Sequence, residues 1–181
     1  VIRQLLDRNQ NVKHIIISNF SEKEKTIIEN FFEGSKSRNR LIIHSLTPEY
    51  ELLFSSADVF IDSFPVSAAL TMIDLMRLKV PAVVKINKEN ALLSFHEYQR
   101  SNFPYMYDNS QDFLEGTEKL ISSKTLRERE KDENYRFYLE RYEGESCKLR
   151  LYNLIDNSDR LEAYYTVLNP KVVYQFKGIL E

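Results

Sequence analysis

The sequence predicts an α/β fold, a Rossmann-like parallel sheet with helices on both faces, plus a C-terminal helical extension. Short apolar segments alternate along the chain with segments whose apolar residues recur at helical spacing. The apolar segments are rich in β-branched residues, which is typical of strands buried on both faces. Strands that alternate with helices in this order form parallel sheets.

Composition limits the classes of function. The chain has 181 residues, 43% hydrophobic and 29% charged, which fits one compact domain with an apolar core. A net charge of −2 disfavours nucleic acid and anionic membranes as partners, and no apolar run reaches the length of a membrane span. Cys147 is the single cysteine, so we expect no internal disulfide and a reducing, cytoplasmic location. The chain starts in helix-like sequence without methionine, which favours a fragment of a longer protein.

The first two strands enclose a well-marked helix. A short helix is predicted over residues 1–8, and "HIIIS" (residues 14–18) follows as the first strand. Ser21 and Glu24 have the spacing of a capping box, which starts the second helix. Its predicted apolar face consists of Ile27, Ile28, Phe31 and Phe32. "RLIIHS" (residues 40–45) is the second strand.

The next two strands complete the predicted sheet. Thr47 as the cap and Pro48 at the first position predict a short helix after the second strand. "DVFID" is the third strand, residues 67–78 are an almost wholly apolar helix, and "PAVVKI" is the fourth strand. All four strands are expected to pair in parallel.

The remaining sequence is predominantly helical. "YMY" (residues 105–107) is predicted as an edge strand, and Asn109 or Ser110 caps the helix that follows. From Thr125 onward the pattern is helical, charged and aromatic. Because Gly144 is the predicted hinge, we divide the chain into an α/β domain, residues 1–143, and a helical extension, residues 144–181.

The third strand and its helix form the most informative candidate site. In open parallel sheets, ligands bind beyond the carboxyl ends of the strands. The small residues of "VSAA" let a ligand approach the backbone, and the start of the next helix offers unpaired N–H groups to an anion. Ser67 and Thr71 add hydroxyls. Asp74 lies about two turns from the predicted helix start, where its carboxylate can accept hydrogen bonds from paired sugar hydroxyls.

This segment, "DVFIDSFPVSAALTMIDLMRLKVP", resembles the nucleotide-sugar-binding segment of GT-B glycosyltransferases. The best match is the O-GlcNAc-transferase-like family, with its pattern D-x-x-L-D-T-x-P-x-N-G-x-T-T-x-x-D-x-L-W-x-G-x-P. The residues that fall on this pattern without gaps include Asp58, Asp62, Pro65, Thr71, Asp74 and Pro81. The order of elements over residues 1–120 also resembles the second Rossmann domain of that family.

The resemblance implies a function. It makes residues 1–143 a nucleotide-sugar-binding domain, the donor half of a glycosyltransferase that uses a nucleoside diphosphate sugar, with UDP-sugars favoured. In the family, the helix start holds the diphosphate and the acid at the position of Asp74 holds the ribose. The implied nucleotide-sugar-binding residues are Ser45, Leu46, Tyr50, Ser67, Ala68, Leu70, Thr71 and Asp74. No metal and no cofactor beyond the donor are implied, and no catalytic residue is assigned.

The departures from the pattern keep an alternative open. The family glycines fall on Ala68 and Lys79, and the first threonine falls on Leu70. The phosphate-binding lysine and the acceptor domain of the family would precede Val1, so an N-terminal acceptor domain is an expected partner. The alternative is a non-catalytic GT-B-like module in a glycosylation or export complex. A different enzyme on the same fold is a further alternative, although no G-x-G-x-x-G turn favours a dinucleotide.

Several candidate residues also have purely structural interpretations. Asp74 could be a buried acid paired with Arg77, the Ser67–Thr71 cluster could be ordinary helix capping, and Tyr50 could be a half-buried helix residue. Asp58 and Asp62 are interpreted as turn and loop support.

The histidines and the charged segment have structural interpretations too. His14, His44 and His96 lack metal-site spacing and are interpreted as structural, with His44 the nearest to the proposed cleft. The charged run of residues 127–133 is expected on a solvated helix face. The apolar terminal segments "YYTVL" and "VVYQF" lead us to expect self-association into a homo-oligomer.

Overall fold

The computed structural model describes residues 1–86 and 103–156. The helices of this part are α1 (Ile2–Arg8), α2 (Glu22–Phe31), α3 (Tyr50–Ser55), α4 (Ala69–Arg77), α5 (Ser110–Ser122), α6 (Lys124–Arg141) and α7 (Gly144–Asp156). The strands are β1 (His14–Ile17), β2 (Leu41–His44), β3 (Phe60–Ile61), β4 (Ala82–Lys85) and β5 (Met106–Tyr107). Strands and helices alternate as the sequence predicts. None of the described helices combines the length and the apolar character needed to cross a membrane.

The strands pair in parallel, which confirms the predicted fold class. β1 pairs with β2 in a two-stranded sheet, and β4 lies between β3 and β5 in a three-stranded sheet. Each hydrogen-bonded pair of described strands is parallel, and β5 is the predicted edge strand. The hydrogen bonds thus divide the four predicted strands into two sheets.

The chain divides into two compact units, Val1–Phe137 and Tyr138–Glu181. Both sheets belong to the first unit. The sequence-based division between residues 143 and 144 stays a prediction. His96 and the segments "YYTVL" and "VVYQF", with the self-association expected from them, lie outside the described residues.

The core of the first unit forms around β4. Ala82, Val83 and Val84 are all buried, so β4 is the doubly covered strand that its apolar sequence predicts. The buried apolar residues that belong to α4 and α5 are Met72, Leu75, Met76, Phe113, Leu114 and Leu120. The prediction that the strands are buried on both faces is wrong for β1 and β2. Ile15 and Ile42 are exposed register partners, so the face that they share is incompletely covered.

Helix α2 confirms its predicted start but not its whole apolar face. Ser21 Oγ accepts a hydrogen bond from Glu24 N at 3.3 Å, and Glu24 Oε2 accepts one from Ser21 N at 2.8 Å, which completes the capping box. Ile28 and Phe32 pack into a cluster with Leu6 and Leu41. The two other members of the predicted apolar face, Ile27 and Phe31, are exposed.

Helix α3 begins later than predicted. Thr47 does not cap it, because residues 47–50 form a turn in which Tyr50 N donates to Thr47 O at 3.1 Å. The helix then starts at Tyr50, with Glu49 as the preceding residue. Pro48 therefore lies in the turn and not in the helix.

The end of α4 has a glycine-favouring backbone conformation at one position where the sequence departs from the family pattern. Lys79, at the position of the family glycine, has a φ of 57°, in the left-handed region that favours glycine. Lys79 N donates to Met76 O at 3.2 Å and Val80 N donates to Leu75 O at 2.9 Å, the two hydrogen bonds of a Schellman motif. The backbone conformation that this position requires is present although the glycine is not.

Helix α6 is less solvated than its charged sequence predicts. Glu130 and Asn134 are buried, so a fully solvated face over residues 127–133 is a wrong prediction. Arg127 Nη1 donates to the carbonyls of Leu120 and Ile121, at 2.8 and 2.5 Å, and thereby satisfies the end of α5. Its Nε lies 3.6 Å from Asp58 Oδ1. These residues pack α6 against its neighbours through charged groups.

Gly116 allows α5 to pack closely against β5, and its replacement should be costly. A Cβ at this position would overlap the ring and hydroxyl of Tyr107. Gly116→Ala should therefore lower the free energy of unfolding by about 1–3 kcal/mol, although alanine is the better helix former. Urea denaturation measures this change.

Gly144 provides the matched control, because a Cβ there meets no described atom within 4 Å. Gly144→Ala should leave the free energy of unfolding unchanged or slightly raised. Equal free energies of unfolding for the two alanine variants would contradict the close packing of Gly116 against Tyr107.

Candidate functional site

The candidate site begins at a loop, residues 63–68, which connects β3 to α4. Asp62 holds both ends of this loop, because its Oδ1 accepts hydrogen bonds from Ser63 N and from Ala68 N, each at 2.9 Å. Within the loop, Ser63 Oγ donates to Val66 O at 2.5 Å. We call this arrangement the Asp62 clasp. It fixes the position of the first turn of α4 relative to the end of β3.

Asp62 is a buried acid, only 4% exposed. Burial raises the pKa of its carboxyl above the ordinary value, and the neighbouring Ser67 hydroxyl and the amides of Ala68 and Ser63 oppose this shift. Among the described residues, Oδ2 of Asp62 and Oγ of Ser67 are buried without a hydrogen-bond partner. The prediction that Asp62 supports the loop therefore agrees with its contacts.

The first turn of α4 carries free amides. The helix begins at Ala69, two residues after the predicted start, and Ser67 does not cap it. Met72 N donates to Ala68 O at 3.1 Å, whereas the N–H groups of residues 69–71 have no acceptor in the part of the chain that the structure describes. Free amides and the helix dipole at such a turn favour an anion. Ordinary capping by Ser67 is therefore the wrong interpretation.

Asp74 belongs to a cluster of polar side chains on α3 and α4. Its Oδ2 lies 3.5 Å from the hydroxyl of Tyr50, and its Oδ1 lies 3.6 Å from Arg77 Nη2. Arg77 Nη2 lies closer to Glu51 Oε1, at 2.7 Å. Because Glu51 is the nearer partner of Arg77, Asp74 is only loosely paired.

The side chain of Asp74 is 34% exposed, so the interpretation of Asp74 as a buried acid is wrong, although the pairing with Arg77 that this interpretation included is present at 3.6 Å. The carboxylate of Asp74 is the largest cause that raises the pKa of Tyr50 above its usual value. The structure thus brings together Tyr50 and Asp74, two residues that the sequence analysis placed at one site. A carboxylate that is one-third exposed keeps acceptor capacity for hydroxyl groups of a ligand.

The remaining predicted site residues lie after the end of β2 and in the first turn of α4. Ser45 and Leu46 follow β2 directly and are exposed, and the carbonyl of Ser45 lies 2.6 Å from His44 Nδ1. Leu70 projects from the first turn of α4 and is 78% exposed. Thr71, one residue further on, is half-buried. The ligand-binding roles of these residues stay predictions.

Two further residues at the site escaped the sequence analysis. The ring of Phe64, in the loop after β3, is 49% exposed. Lys85 Nζ lies 4.2 Å from the centroid of this ring, a cation–π contact between the end of β4 and the loop. The available signal was the position of Lys85, a cation at the carboxyl end of an otherwise apolar strand.

No group of three metal-ligating side chains comes together among residues 1–86 and 103–156. His14 lies on β1 and His44 at the end of β2, and Cys147 on α7 is exposed.

Comparisons with known proteins give the class of fold. No protein-family profile matches the chain, and no curated protein is significantly similar in sequence. Among solved structures, the chain is similar to an O-GlcNAc transferase mutant from Thermobaculum terrenum, with a TM-score of 0.66 and 15% sequence identity. The match covers 76% of this chain and 28% of the transferase chain. The chain therefore has a glycosyltransferase-like fold and spans a minor part of that enzyme's length.

Proposed function

We propose that this chain is the donor-binding half of a GT-B glycosyltransferase, which transfers a sugar from a nucleoside diphosphate sugar to an acceptor. UDP-sugars are the donor class to test first. The supporting observation is the first turn of α4, where three free amides follow a loop that Asp62 holds in place. The fold similarity to an O-GlcNAc transferase agrees with this proposal.

In this proposal the diphosphate lies on residues 67–71. The free amides and the helix dipole stabilise its negative charge, which increases as the sugar leaves. Lys85 contacts Phe64 in the loop that precedes α4, and its ammonium group adds a positive charge near the diphosphate. These groups contribute electrostatic stabilisation of the leaving group.

The nucleoside then extends toward α3. Asp74, the sixth residue of α4, accepts hydrogen bonds from the ribose hydroxyls, and its contact with Tyr50 orients it. Ser45 and Leu46, exposed at the end of β2, face the base. The donor is the only small molecule that the proposal requires. The acceptor site and the catalytic base belong to an N-terminal acceptor domain.

Apolar exposure at the site favours a second candidate function, a non-catalytic GT-B-like module. Leu70 is exposed where the family pattern has a threonine hydroxyl, and Phe64 and Val66 are exposed in the neighbouring loop. Such side chains fit a protein partner better than a diphosphate. This module would bind a component of a glycosylation or export complex.

Calorimetric titration of the full-length protein with UDP and with UMP tests the proposal. UDP should bind at least about 10-fold more tightly than UMP, because only the diphosphate can use all the free amides of α4. Equal affinities would contradict the placement of the diphosphate. A protein that binds neither nucleotide would favour the non-catalytic module.

A further inference from the structure

The opposite edge of the first unit contains a cleft that the proposed function does not use. This amino-edge cleft, of about 560 Å³, lies between α1 and the segment that precedes β2. The lining side chains that matter here are Arg3, Asp7, Ser35, Lys36, Asn39 and Arg40. Its volume is in the range of sites for small molecules. Arg40 directly precedes β2, so the cleft lies at the amino ends of the strands, whereas the candidate donor site lies at their carboxyl ends.

Backbone carbonyl groups hold the two arginines of the cleft in place. Arg40 Nη1 donates to Asn9 O at 2.7 Å and to Val12 O at 3.4 Å. Arg3 Nη1 donates to Phe31 O at 3.3 Å. These bonds go to carbonyls at the ends of α1 and α2 and in the connection before β1, and they use one nitrogen of each guanidinium group. The Nη2 atoms of both arginines remain available within the described part of the chain, as does Nε of Arg40.

The charge balance of the cleft favours an anion. Three cationic side chains face a single carboxylate, Asp7, which gives the lining a net formal charge of +2. Asp7 Oδ1 already accepts a hydrogen bond from Ser35 Oγ at 3.2 Å, and its Oδ2 lies 3.9 Å from Arg3 Nε. Lys36 is exposed and makes no ion pair or hydrogen bond with the residues that the structure describes.

We propose that the amino-edge cleft is a second ligand site, which binds a small molecule through a dianionic phosphate group. The guanidinium donors of Arg3 and Arg40 match the planar fork that binds phosphate oxygens. Lys36 contributes the third positive charge. A dianion balances the net charge of the lining, whereas a monocarboxylate leaves one positive charge uncompensated.

Titration of the full chain with inorganic phosphate, followed by amide chemical shifts, tests this site. Saturable shifts should occur at residues 34–36, and acetate should bind about 10-fold more weakly because it carries one charge. Shifts confined to residues 68–71 would place the phosphate at the donor site and overturn the proposal. Acetate affinity equal to that of phosphate would overturn the dianion assignment.

Two lysine substitutions distinguish phosphate binding in the cleft from nonspecific attraction by surface charge. Lys36→Gln should weaken phosphate binding about 5- to 10-fold, because it removes one cation from the lining. Lys23→Gln makes the same change on an exposed lysine of α2 outside the cleft and should change the affinity less than about 2-fold. Equal losses in the two variants would overturn the site. The shifts that UDP causes at residues 68–71 should titrate with the same affinity in wild type and Lys36→Gln, so a failure of the cleft proposal leaves the donor-site proposal intact.

Discussion

Asp74→Asn should weaken the binding of UDP to the full-length protein by about 10- to 150-fold, with little change in melting temperature. This range corresponds to the loss of a charged acceptor from bound hydroxyl groups, about 1.5–3 kcal/mol. The carboxylate is one-third exposed and only loosely paired with Arg77, at 3.6 Å, so its neutralisation should cost the fold little. Calorimetry measures the affinity, and scanning calorimetry measures the melting temperature.

Asp58 provides the control for Asp74. Its side chain is 81% exposed and lies before β3, at the amino end of that strand. Asp58→Asn makes the same chemical change and should leave the affinity for UDP unchanged. If Asp74→Asn lowers the melting temperature and preserves the affinity, Asp74 is a structural acid instead.

Acidification should remove about 2–3 kcal/mol of stability through a single histidine. Burial lowers the pKa of His14 from 6.5 to about 4. Because the unfolded chain binds a proton below pH 6.5 and the folded chain does not, the contribution is complete above about pH 6.5. It is lost progressively as the pH falls toward 4. Urea denaturation between pH 7 and pH 4 measures this loss.

His14→Gln isolates the histidine from the carboxylates that titrate over the same range. Glutamine stays neutral, so the variant lacks this part of the pH dependence. The unfolding free energy of the wild type minus that of the variant should therefore decrease by about 2–3 kcal/mol between pH 7 and pH 4. A difference that stays constant over this range would show that His14 is not a buried neutral residue.

The helix caps and the order of strands and helices could be predicted from the sequence. The capping box of Ser21 and Glu24 and the cap by Asn109, which accepts from Asp112 N at 2.9 Å, depend on residues three positions apart. Such contacts are determined within a few residues of sequence. The parallel order of strands and helices was predictable for a related reason, since it follows from alternating patterns along the chain.

Exposure was less predictable because it depends on distant neighbours. Ile27 and Phe31 repeat at helical spacing as core residues do, yet both are exposed. Asp74 looked buried because its helix is apolar, but its position on the helix turns it toward Tyr50 on α3. Lys85 and Phe64 come together from a strand end and a loop, a contact that spacing in the sequence does not encode.

In the Asp62 clasp, the residues that fix the loop are different from the residues that the loop exposes. Both amides that Asp62 binds lie at the ends of the loop, whereas Phe64 and Val66 between them are exposed. New side chains can therefore arise at these two positions without moving the start of α4. The recognition surface of the loop and the geometry of the helix start are thus set by different residues, and a substitution at Phe64 or Val66 can change the first without disturbing the second.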